Sequence, residues 1–406
     1  MEAEEKHIQT CCCIAGGGPA GMMLGLLLAK AGIDVVVIEK WGDFLRDFRG
    51  DTIHPSTMEV LDELGLLDEF LALKPNRTNK MTVFMGGKQM TLADFTHLPV
   101  KCPYIAFIPQ SDFLEFISSE AKKYSNFKLL MNTEATGLIE ESGVVKGIKA
   151  KNEGNISISA ELTIGADGRH STIRNVSGFK VKDFGAPVDV LWFRVSRNEK
   201  EDLGSAFYAD DGNLSIILNR GSYWQCGFIV RKNGVEELKQ KGIDSFRKRL
   251  SWLIPPLQPY INEIQNWEQI KLLSVAINHL DKWHKPGLIC IGDAAHAMSP
   301  MGGVGINLAI QDAVATANII IPALKQNKPL SDCLAAIQKR RSKPAIVTQR
   351  MQVFLHKFIM TSTLEQKGRT NVPLALRLSA KFPLLNRIPA RLVGIGLKPE
   401  HIEFLN

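Results

Sequence analysis

The chain has 406 residues, of which 45% are hydrophobic and 22% are charged. This is the composition of an ordinary globular protein, so it excludes a disordered chain, a collagen, a coiled coil and a disulfide-stapled miniprotein. The formal net charge of +7 is a mild basic bias, which suits anionic ligands such as dinucleotides. The sequence contains no long run of basic residues interleaved with aromatic residues, so we expect no nucleic-acid partner.

The seven cysteines include no CxxC pair, so the sequence predicts neither a metal site nor a disulfide framework. Cys11, Cys12 and Cys13 are contiguous and are predicted to lie in a strand core, and this usage favours a reducing, cytoplasmic location. The uncharged segment 11–29 approaches the length of a membrane span. Its glycines, its proline and the acidic residues before it favour a turn between a strand and a helix, and not a signal peptide or a transmembrane segment.

The N-terminal residues predict one parallel β-α-β unit. His7–Ala15 is predicted as a buried strand, Met22–Ala31 as a helix that Gly32 ends, and Ile33–Ile38 as a second strand. An apolar run such as the second strand is typical of a parallel strand that is covered on both faces.

The rest of the chain alternates between strand-like and helical segments. We predict a helix over Ser56–Leu64, antiparallel strands over Thr78–Phe95, a helix over Ser111–Lys123, short strands over Lys128–Ile164, strands over Asp189–Arg231, a short strand over Leu288–Ile291, and mostly helix from Gly305 onward.

The first motif is Gly16-x-Gly18-x-x-Gly21, between the predicted strand and helix, with Glu39 at the end of the second strand. The first glycine permits a tight turn, the second lets the backbone approach a pyrophosphate, and the third allows close packing of the helix on the strand. The helix N-terminus attracts the phosphates. A carboxylate at the end of the second strand accepts ribose hydroxyls, which favours FAD or NAD over NADP at this position.

The second motif, Thr163–Ser171, ends a strand in small residues and continues with Asp167, Gly168 and a basic turn. From the residues alone it is either a turn with a capping aspartate or an anion site. The third motif, Ile291–Asn307, follows a short strand with Asp293 and then with a glycine-rich loop that leads into a helix. A loop of small residues lets a flat ring lie against the backbone, and the helix N-terminus stabilises negative charge there.

The three motifs, in this order, resemble the single-component flavin monooxygenases typified by para-hydroxybenzoate hydroxylase. The resemblance runs from about residue 8 to at least residue 320. It implies an FAD cofactor, with Arg49 and Gln110 as further contacts. The residues that the resemblance assigns to FAD are Gly16, Gly18, Pro19, Ala20, Gly21, Glu39, Lys40, Arg49, Gln110, Asp167, Gly168, Asp293, Pro300, Gly302, Gly303, Val304, Gly305, Ile306 and Asn307.

The resemblance also implies a reaction. NADH or NADPH reduces FAD, O2 then forms a flavin C4a-hydroperoxide, and this intermediate hydroxylates an aromatic or phenolic small molecule. The oxygen chemistry belongs to the flavin, so we expect no catalytic triad. The sequence does not determine the substrate, the regiochemistry, the choice between NADH and NADPH, or the oligomeric state.

The implied fold class is α/β. We expect a Rossmann-like FAD-binding domain with a parallel sheet, interleaved with a substrate domain of mostly antiparallel sheet, and a helical C-terminus. The predicted ranges are 1–75, 100–180 and 280–330 for the FAD-binding domain, 76–99 and 181–279 for the substrate-binding domain, and 331–406 for the C-terminal helices.

The substrate side is less determined. Trp192 and Arg194 alternate on one predicted strand and Tyr223 and Gln225 on another, so each pair shares a face. They either line the substrate site or are core aromatics with exposed polar neighbours. His54, His296, Arg194 and Tyr223 are weak catalytic candidates, and for both histidines a structural role is the alternative.

Several other interpretations remain open. A flavin-dependent reductase or halogenase, a flavoprotein that oxidises NAD(P)H without hydroxylation, and an FAD-containing redox sensor would all carry these motifs. Trp252–Pro255 matches the second half of a halogenase Trp-x-Trp-x-Ile-Pro signature, but Leu250 stands at the first Trp position. The basic and apolar segment Leu374–Leu397 is either a peripheral membrane contact or a packed helix pair that Pro383 and Pro389 interrupt.

Overall fold

The computed structural model describes residues 6–45, 51–198, 204–359, 363–364, 368 and 372–405. Its strands, in chain order, are β1 (Lys6–Ala15), β2 (Val35–Ile38), β3 (Thr52–Ile53), β4 (Asn76–Thr78), β5 (Lys80–Met85), β6 (Lys88–Asp94), β7 (Ile105–Phe107), β8 (Phe127–Leu130), β9 (Glu134–Glu141), β10 (Val144–Lys151), β11 (Asn155–Gly165), β12 (Val181–Asp183), β13 (Val188–Ser196), β14 (Ala206–Asp210), β15 (Asn213–Asn219), β16 (Tyr223–Arg231), β17 (Lys271–Leu273), β18 (Asn278–Leu280), β19 (His284–Lys285), β20 (Leu288–Cys290) and β21 (His296–Ala297).

The α-helices lie between these strands and at the C-terminal end. They are α1 (Pro19–Lys30), α2 (Pro55–Glu63), α3 (Leu67–Ala72), α4 (Gln110–Ala121), α5 (Thr172–Val176), α6 (Val235–Gln240), α7 (Ile243–Leu253), α8 (Gly305–Lys325), α9 (Ser331–Ile359), α10 (Leu374–Lys381) and α11 (Arg387–Gly394).

The first sheet is mostly parallel and has the order β19-β20-β11-β1-β2-β8, with β10 and β9 added beside β11. Its register aligns the strand ends, because Ala15 is opposite both Ile38 and Gly165, and Gly165 is opposite Cys290. The residues that follow these four strands therefore meet at one edge of the sheet. This arrangement confirms the α/β fold class, and ligands of such sheets bind at the carboxyl edge.

Helices α1 and α8 pack together against this sheet. The apolar residues of α1 are buried from Ala20 to Ala29, together with the strand cores of β1 and β2. Segment 301–325 is the one part of the described chain with a helix long and apolar enough to cross a membrane, but 83% of its apolar window is buried inside the fold. It is therefore the core helix of this domain.

Helix α1 begins at Pro19, three residues before the predicted start at Met22. Gly18 is its N-cap, and the Met22 amide donates to the Gly18 carbonyl at 2.9 Å, so Gly21 already belongs to the first turn. Proline is favourable at this position because its fixed φ suits a helix and its missing N–H has no partner to lose. The uncharged N-terminal segment is thus a strand, a turn and a helix.

The second large sheet has the order β17-β13-β16-β15-β14-β5-β6, and its pairs are antiparallel except for β14 with β5. One face, which includes Leu191 and Phe193, packs against α7 in a core of its own. The other face, which includes Val190 and Trp192, packs against Phe107 and the segment after β6.

The predicted domain ranges can be placed on these sheets. Strand β5 pairs with β14, although more than a hundred residues separate them in sequence, and β6 joins the same sheet through β5. Strand β4 instead pairs with β7, and β18 pairs with β12 and β21. The exact domain boundaries stay a prediction.

Candidate cofactor and active site

The glycines of the first motif have different structural roles. Gly16 has a φ of +107°, and a Cβ atom there would overlap the Ala166 carbonyl. A Cβ atom on Gly21 would likewise overlap the Gly16 carbonyl. At Gly18, an added Cβ atom would meet no atom from elsewhere in the described chain within 4 Å. Gly16 and Gly21 are therefore needed for packing, whereas Gly18 leaves open space at the N-terminus of α1.

Glu39 lies beside this turn at the end of β2. Its Oε2 accepts a hydrogen bond from the Gly17 amide at 2.8 Å, and its Oε1 accepts one from the Trp41 amide at 3.2 Å. These bonds fix a buried carboxylate next to the glycine turn. Lys40, the next residue, is exposed, and its ammonium lies 5.2 Å from the centre of the Trp41 ring.

Asp167 lies next to the same glycine turn. Its carboxylate accepts hydrogen bonds from the Ser171 hydroxyl and, at 3.0 Å, from the Ile173 amide in the first turn of α5, whose N-cap is Ser171. Burial raises the pKa of Asp167, although the Ser171 hydroxyl acts in the opposite direction. Gly168 follows with a φ of +83° and open space at its Cβ position. The second motif is thus a capped turn that also reaches the cofactor edge.

Asp293 follows β20 and is partly exposed at the same edge. Its Oδ2 lies 3.7 Å from the Arg169 guanidinium, which belongs to the second motif. Gly292 precedes it with a φ of +59°, and a Cβ atom there would lie 3.1 Å from the Cβ of Ala20 in α1. Close contact between small residues therefore joins the third motif to the first.

The glycine-rich loop of the third motif is pinned to β3. The Gly303 carbonyl accepts a hydrogen bond from the Thr52 hydroxyl at 2.9 Å, and a Cβ atom on Gly303 would overlap Thr52. Gly302 and Gly303 both have positive φ, and the Pro300 carbonyl accepts a hydrogen bond from the Gly303 amide at 3.0 Å. At Gly305, the first residue of α8, an added Cβ would meet nothing within 4 Å.

The Asn307 side chain locks this loop. Its Oδ1 accepts hydrogen bonds from the His54 amide at 2.9 Å and from the Thr57 hydroxyl at 2.7 Å, and its Nδ2 donates to the Gly303 carbonyl at 3.3 Å. Val304 and Ile306 beside it are buried. Gly305 is therefore the position in this loop where the backbone is open to a ligand.

Two further residues that the resemblance assigns to FAD lie differently. Gln110 begins α4, and its amide lies 3.4 Å from Asp51 Oδ1. Arg49 lies outside the described residues.

His54 is completely buried. Its Nδ1 lies 2.7 Å from the Val393 carbonyl, so the neutral ring donates there, and its Nε2 has no hydrogen-bond partner. Burial lowers the pKa of His54 to about 4, despite the hydrogen bond to Val393. The imidazole of His54 is therefore neutral and enclosed by protein, so it is not placed as an exposed general base.

His296 belongs to a buried charge network. Its Nε2 lies 2.5 Å from Asp312 Oδ2, and Arg341 Nε donates to Asp312 Oδ1 at 2.9 Å. Although burial alone raises the pKa of Asp312, His296 and Arg341 hold the pKa below its usual range. Arg341 also pairs with Glu400 at 3.2 Å, so the network joins α8, α9 and the C-terminal segment. The geometry therefore gives His296 a structural partner in the core.

On the antiparallel sheet, Arg194 and Gln225 are opposite each other, and Trp192 is opposite Gly227. Trp192 and Gln225 are buried, Arg194 is exposed and Tyr223 is partly exposed. The indole Nε1 of Trp192 is buried without a hydrogen-bond partner in the described structure. These residues lie on the sheet face that meets Phe107, the strand partner of Thr52.

A buried ion pair that sequence reasoning missed joins this sheet to the cofactor side. Arg220 lies 2.5 Å from Asp51 Oδ2, its Nε donates to Gln225 Oε1 at 2.9 Å, and its guanidinium lies 5.4 Å from the centre of the Phe107 ring. Burial raises the pKa of Asp51, with Arg220 acting against it, and burial also lowers the pKa of Arg220. The two residues are 169 positions apart, and no sequence pattern connects them.

The edge fits the adenine dinucleotide of FAD. The open space at Gly18 lies where a pyrophosphate needs close backbone approach, with the N-terminus of α1 directed at it. Glu39 and Asp293 follow β2 and β20 at the same carboxyl edge of the sheet, with β1 and β11 between them, and both can accept hydroxyl donors. The open backbone at Gly305 can receive a flat ring. The fold and this site define a flavin-dependent oxidoreductase.

A sequence model of the protein family described as "FAD binding domain" matches residues 9–350. "6-Methylpretetramide 4-monooxygenase" of Streptomyces rimosus is 28% identical over 383 residues, which cover 93% of this chain and 89% of that protein. The structure of p-nitrophenol 4-monooxygenase PnpA from Pseudomonas putida DLL-E4 is similar, with a TM-score of 0.76 and 20% identity over 95% of this chain and 97% of that one. The myxobacterial chondrochloren halogenase CndH shares the fold, with a TM-score of 0.74 and 17% identity over 97% of this chain and 98% of that one.

The chain belongs to this FAD-binding-domain family, and within it to the FAD-dependent aromatic hydroxylases. It is an FAD-dependent monooxygenase, which confirms the cofactor and the enzyme class that the three motifs predict.

Proposed function

We propose that the chain hydroxylates a phenolic small molecule that binds between the glycine-rich loop at 300–305 and the Trp192 face of the antiparallel sheet. The observation that carries the proposal is the Trp192 indole, a buried flat surface with an unpartnered N–H donor. A buried polar group without a partner is rare in proteins, so it points to a ligand that accepts this hydrogen bond. A phenolic oxygen beside an aromatic ring has this chemistry.

The neighbouring residues suit an electron-rich ring. Arg194 is on the same strand face as Trp192, and its positive charge favours a phenolate. Gly227, opposite Trp192, has no side chain, and a Cβ atom there would lie only 3.0 Å from the indole. Because Gly227 has no side chain, the Trp192 indole has room to lie flat against strand β16.

The Arg220–Asp51 pair positions the two sides of the proposed site. Both side chains are nearly inaccessible, and the pair connects the turn before β16 with the segment before β3. Because breaking a buried pair leaves an uncompensated charge, this contact resists separation of the sheet from the loop. The pair therefore keeps the substrate face in register with the cofactor edge and helps to exclude water.

When bound, FAD supplies the hydride acceptance and the oxygen activation that no side chain can provide. The N-terminus of α8 presents its amides and its dipole at the glycine-rich loop, which stabilises negative charge there. Asn307 holds this loop through Gly303, so the amides are fixed before the reaction begins.

The halogenase alternative has less support from this geometry. Trp252–Pro255, which echoes a halogenase signature, lies at the end of α7. Ile254 packs in the core with Phe193 and Phe246, and Trp252 is 54% exposed. This core is on the sheet face opposite to Trp192, so the segment is directed away from the proposed site.

We further propose NADH or NADPH as the donor, O2 as the co-substrate and a cytoplasmic location. The seven cysteines, all of them free thiols, support a reducing compartment. Asp167 and Gly168, which the resemblance assigns to FAD, lie at the carboxyl edge of the parallel sheet, where a bound flavin would meet the donor.

The test is steady-state oxygen uptake with NAD(P)H and a panel of phenols. We expect a phenol to stimulate uptake and to yield a hydroxylated product. Arg194→Met should then raise KM for that phenol by about tenfold, the loss of one charge-assisted contact, without changing the flavin spectrum. Lys248→Met, which removes an exposed charge from α7, is the matched control. Equal KM values for the wild type and both variants would reject the assigned substrate face.

A further inference from the structure

The net positive charge of the chain is concentrated near the C-terminus. Between Glu365 and Glu400 the sequence has seven Lys or Arg residues and no Asp or Glu. The whole chain has 49 Lys and Arg, so 42 remain elsewhere, and these equal the 42 Asp and Glu residues. Outside this one segment, the protein therefore has a formal charge of zero.

The same segment exposes large apolar side chains. In α10, Leu376 packs toward the buried cluster that includes Val83 of β5, while Leu374 remains 67% exposed. Residues 381–385, at and after the end of α10, are all exposed. Leu384 is 66% exposed and Ile388 is 61% exposed. The exposed apolar residues, together with the exposed basic residues among them, form what we call the C-terminal patch: Leu374, Arg377, Leu378, Lys381, Phe382, Leu384, Leu385, Arg387, Ile388, Arg391, Leu397 and Lys398.

Charged and apolar groups share one surface in this patch. Leu374, Leu378 and Lys381 follow each other at helical spacings of four and three, so they lie on one side of α10. Arg387 and Ile388 begin α11 with both side chains exposed. A cluster of large, exposed apolar side chains in one short segment is typical of an interaction site.

We infer that the C-terminal patch docks on the surface of an anionic lipid bilayer. The apolar side chains would enter the boundary between headgroups and acyl chains, and the Lys and Arg side chains would contact the anionic headgroups. Five of the seven basic residues that carry the net charge of the chain lie in this patch, and this is the complement that an anionic surface requires.

A second copy of the chain is a poorer occupant. In a two-fold symmetric dimer the same patch lies on both sides of the interface. The patch would then place its Lys and Arg residues against the identical residues of the second copy, with no acidic residue between 366 and 399 to compensate them. Like charges at an interface oppose association.

The position of the patch also relates it to the site. A Cβ atom on Gly394 of α11 would lie 2.8 Å from Leu98, and the Val393 carbonyl accepts from His54 at 2.7 Å. Leu98 belongs to the cluster that contains Trp192. In a docked enzyme, α11, which packs on the cluster that contains Trp192, would therefore lie against the membrane. The docking does not depend on the proposed hydroxylation.

The test is flotation of the purified full-length flavoprotein with two kinds of vesicle, phosphatidylcholine alone and phosphatidylcholine mixed with phosphatidylglycerol. We expect the anionic vesicles to bind at least about tenfold more protein than vesicles of phosphatidylcholine alone, and we expect this difference to disappear at high salt. Lys381→Glu with Arg387→Glu should abolish the preference. The charge-matched control, Lys248→Glu with Lys325→Glu, reverses two exposed lysines elsewhere and should retain it.

A second pair of variants tests the apolar part. Leu384→Ser with Leu385→Ser should reduce binding by about tenfold, whereas Leu73→Ser with Leu272→Ser, at two other exposed leucines, should not. The flavin absorption of each variant reports its folding. Equal binding to both vesicle types, or equal loss with the two charge-reversed pairs, would overturn the inference. The inference would also be overturned if the protein forms a dimer that binds no vesicles and if Leu384→Ser with Leu385→Ser dissociates this dimer.

Discussion

The carboxyl edge of the parallel sheet and the Trp192 face of the antiparallel sheet, which we propose as the two sides of one site, are built differently. At the parallel edge, backbone geometry is decisive, as at Gly16, Gly18 and Gly303. On the antiparallel face, side chains are decisive, as with Trp192 and the Arg220–Asp51 pair. A cofactor that must approach the backbone restricts which residues are possible, whereas a substrate face can use ordinary side chains that any strand contains.

The strongest test of the first half of this comparison is a pair of glycine substitutions. Gly16→Ala should lower the free energy of unfolding by about 3 kcal/mol or more, because a side chain at positive φ is strained and overlaps Ala166. Gly18→Ala should leave the thermal midpoint of the apoprotein unchanged and weaken FAD binding by about tenfold or more, because only the ligand would meet the added methyl group. Thermal unfolding without flavin and FAD titration separate the two effects. Identical behaviour of the two variants would contradict the division of roles.

The corresponding test on the other side is Arg220→Met. Loss of the guanidinium leaves Asp51 buried without its partner, and we expect a decrease of about 3 kcal/mol in the free energy of unfolding. The double variant with Asp51→Asn should recover a large part of this loss, since no buried charge remains. Urea denaturation of the single and double variants measures the coupling. Strict additivity would show that the pair does not connect the antiparallel sheet with the segment before β3 as described.

Asp293→Ala tests the cofactor edge at a side chain instead of a glycine. We expect about 2 kcal/mol of FAD binding to be lost, the contribution of hydrogen bonds to a charged group, so the variant should be purified largely without flavin. His54→Ala is the control, because His54 contacts Val393 and not the open edge. The ratio of flavin to protein absorbance decides the result. Full flavin occupancy in Asp293→Ala would remove Asp293 from the cofactor site.

The smallest expected effect is a pH dependence that arises from His54. Because burial lowers its pKa in the folded state to about 4, from 6.5 when unfolded, the folded state favours the neutral ring. The stabilisation is complete above the unfolded value and is lost as the pH falls toward 4, by about 2 kcal/mol between pH 7 and pH 5. His54→Gln should reduce this loss in urea denaturation at the two pH values. An unchanged difference would show that His54 titrates normally.

The sequence identifies FAD as the cofactor but leaves the substrate side open, for physical reasons. Gly16 and Gly21 are identifiable because no other residue type fits such close backbone contacts, and Asp167 because it follows a strand and its carboxylate reaches the first turn of the next helix. Nothing in the sequence connects Asp51 with Arg220, because their contact exists only after the segment before β3 packs against the antiparallel sheet.

The histidines illustrate the same limit. His296 lies among small residues in a motif, which makes it a catalytic candidate from the sequence. Its partners, Asp312 and Arg341, come from α8 and α9 and are visible only in three dimensions. A search for buried ionisable residues on the following helix would have indicated Asp312, because a charged group in an apolar core helix needs a partner.

The most direct test of the central claim is to follow the fate of molecular oxygen. The purified yellow protein, supplied with NADPH or NADH, a responding phenol and isotopically heavy O2, should yield a hydroxylated phenol that carries one heavy oxygen atom, as measured by mass spectrometry. Recovery of the phenol unchanged, or of a product whose new oxygen comes from water, while the donor is oxidised, would contradict the assignment of this site to aromatic hydroxylation.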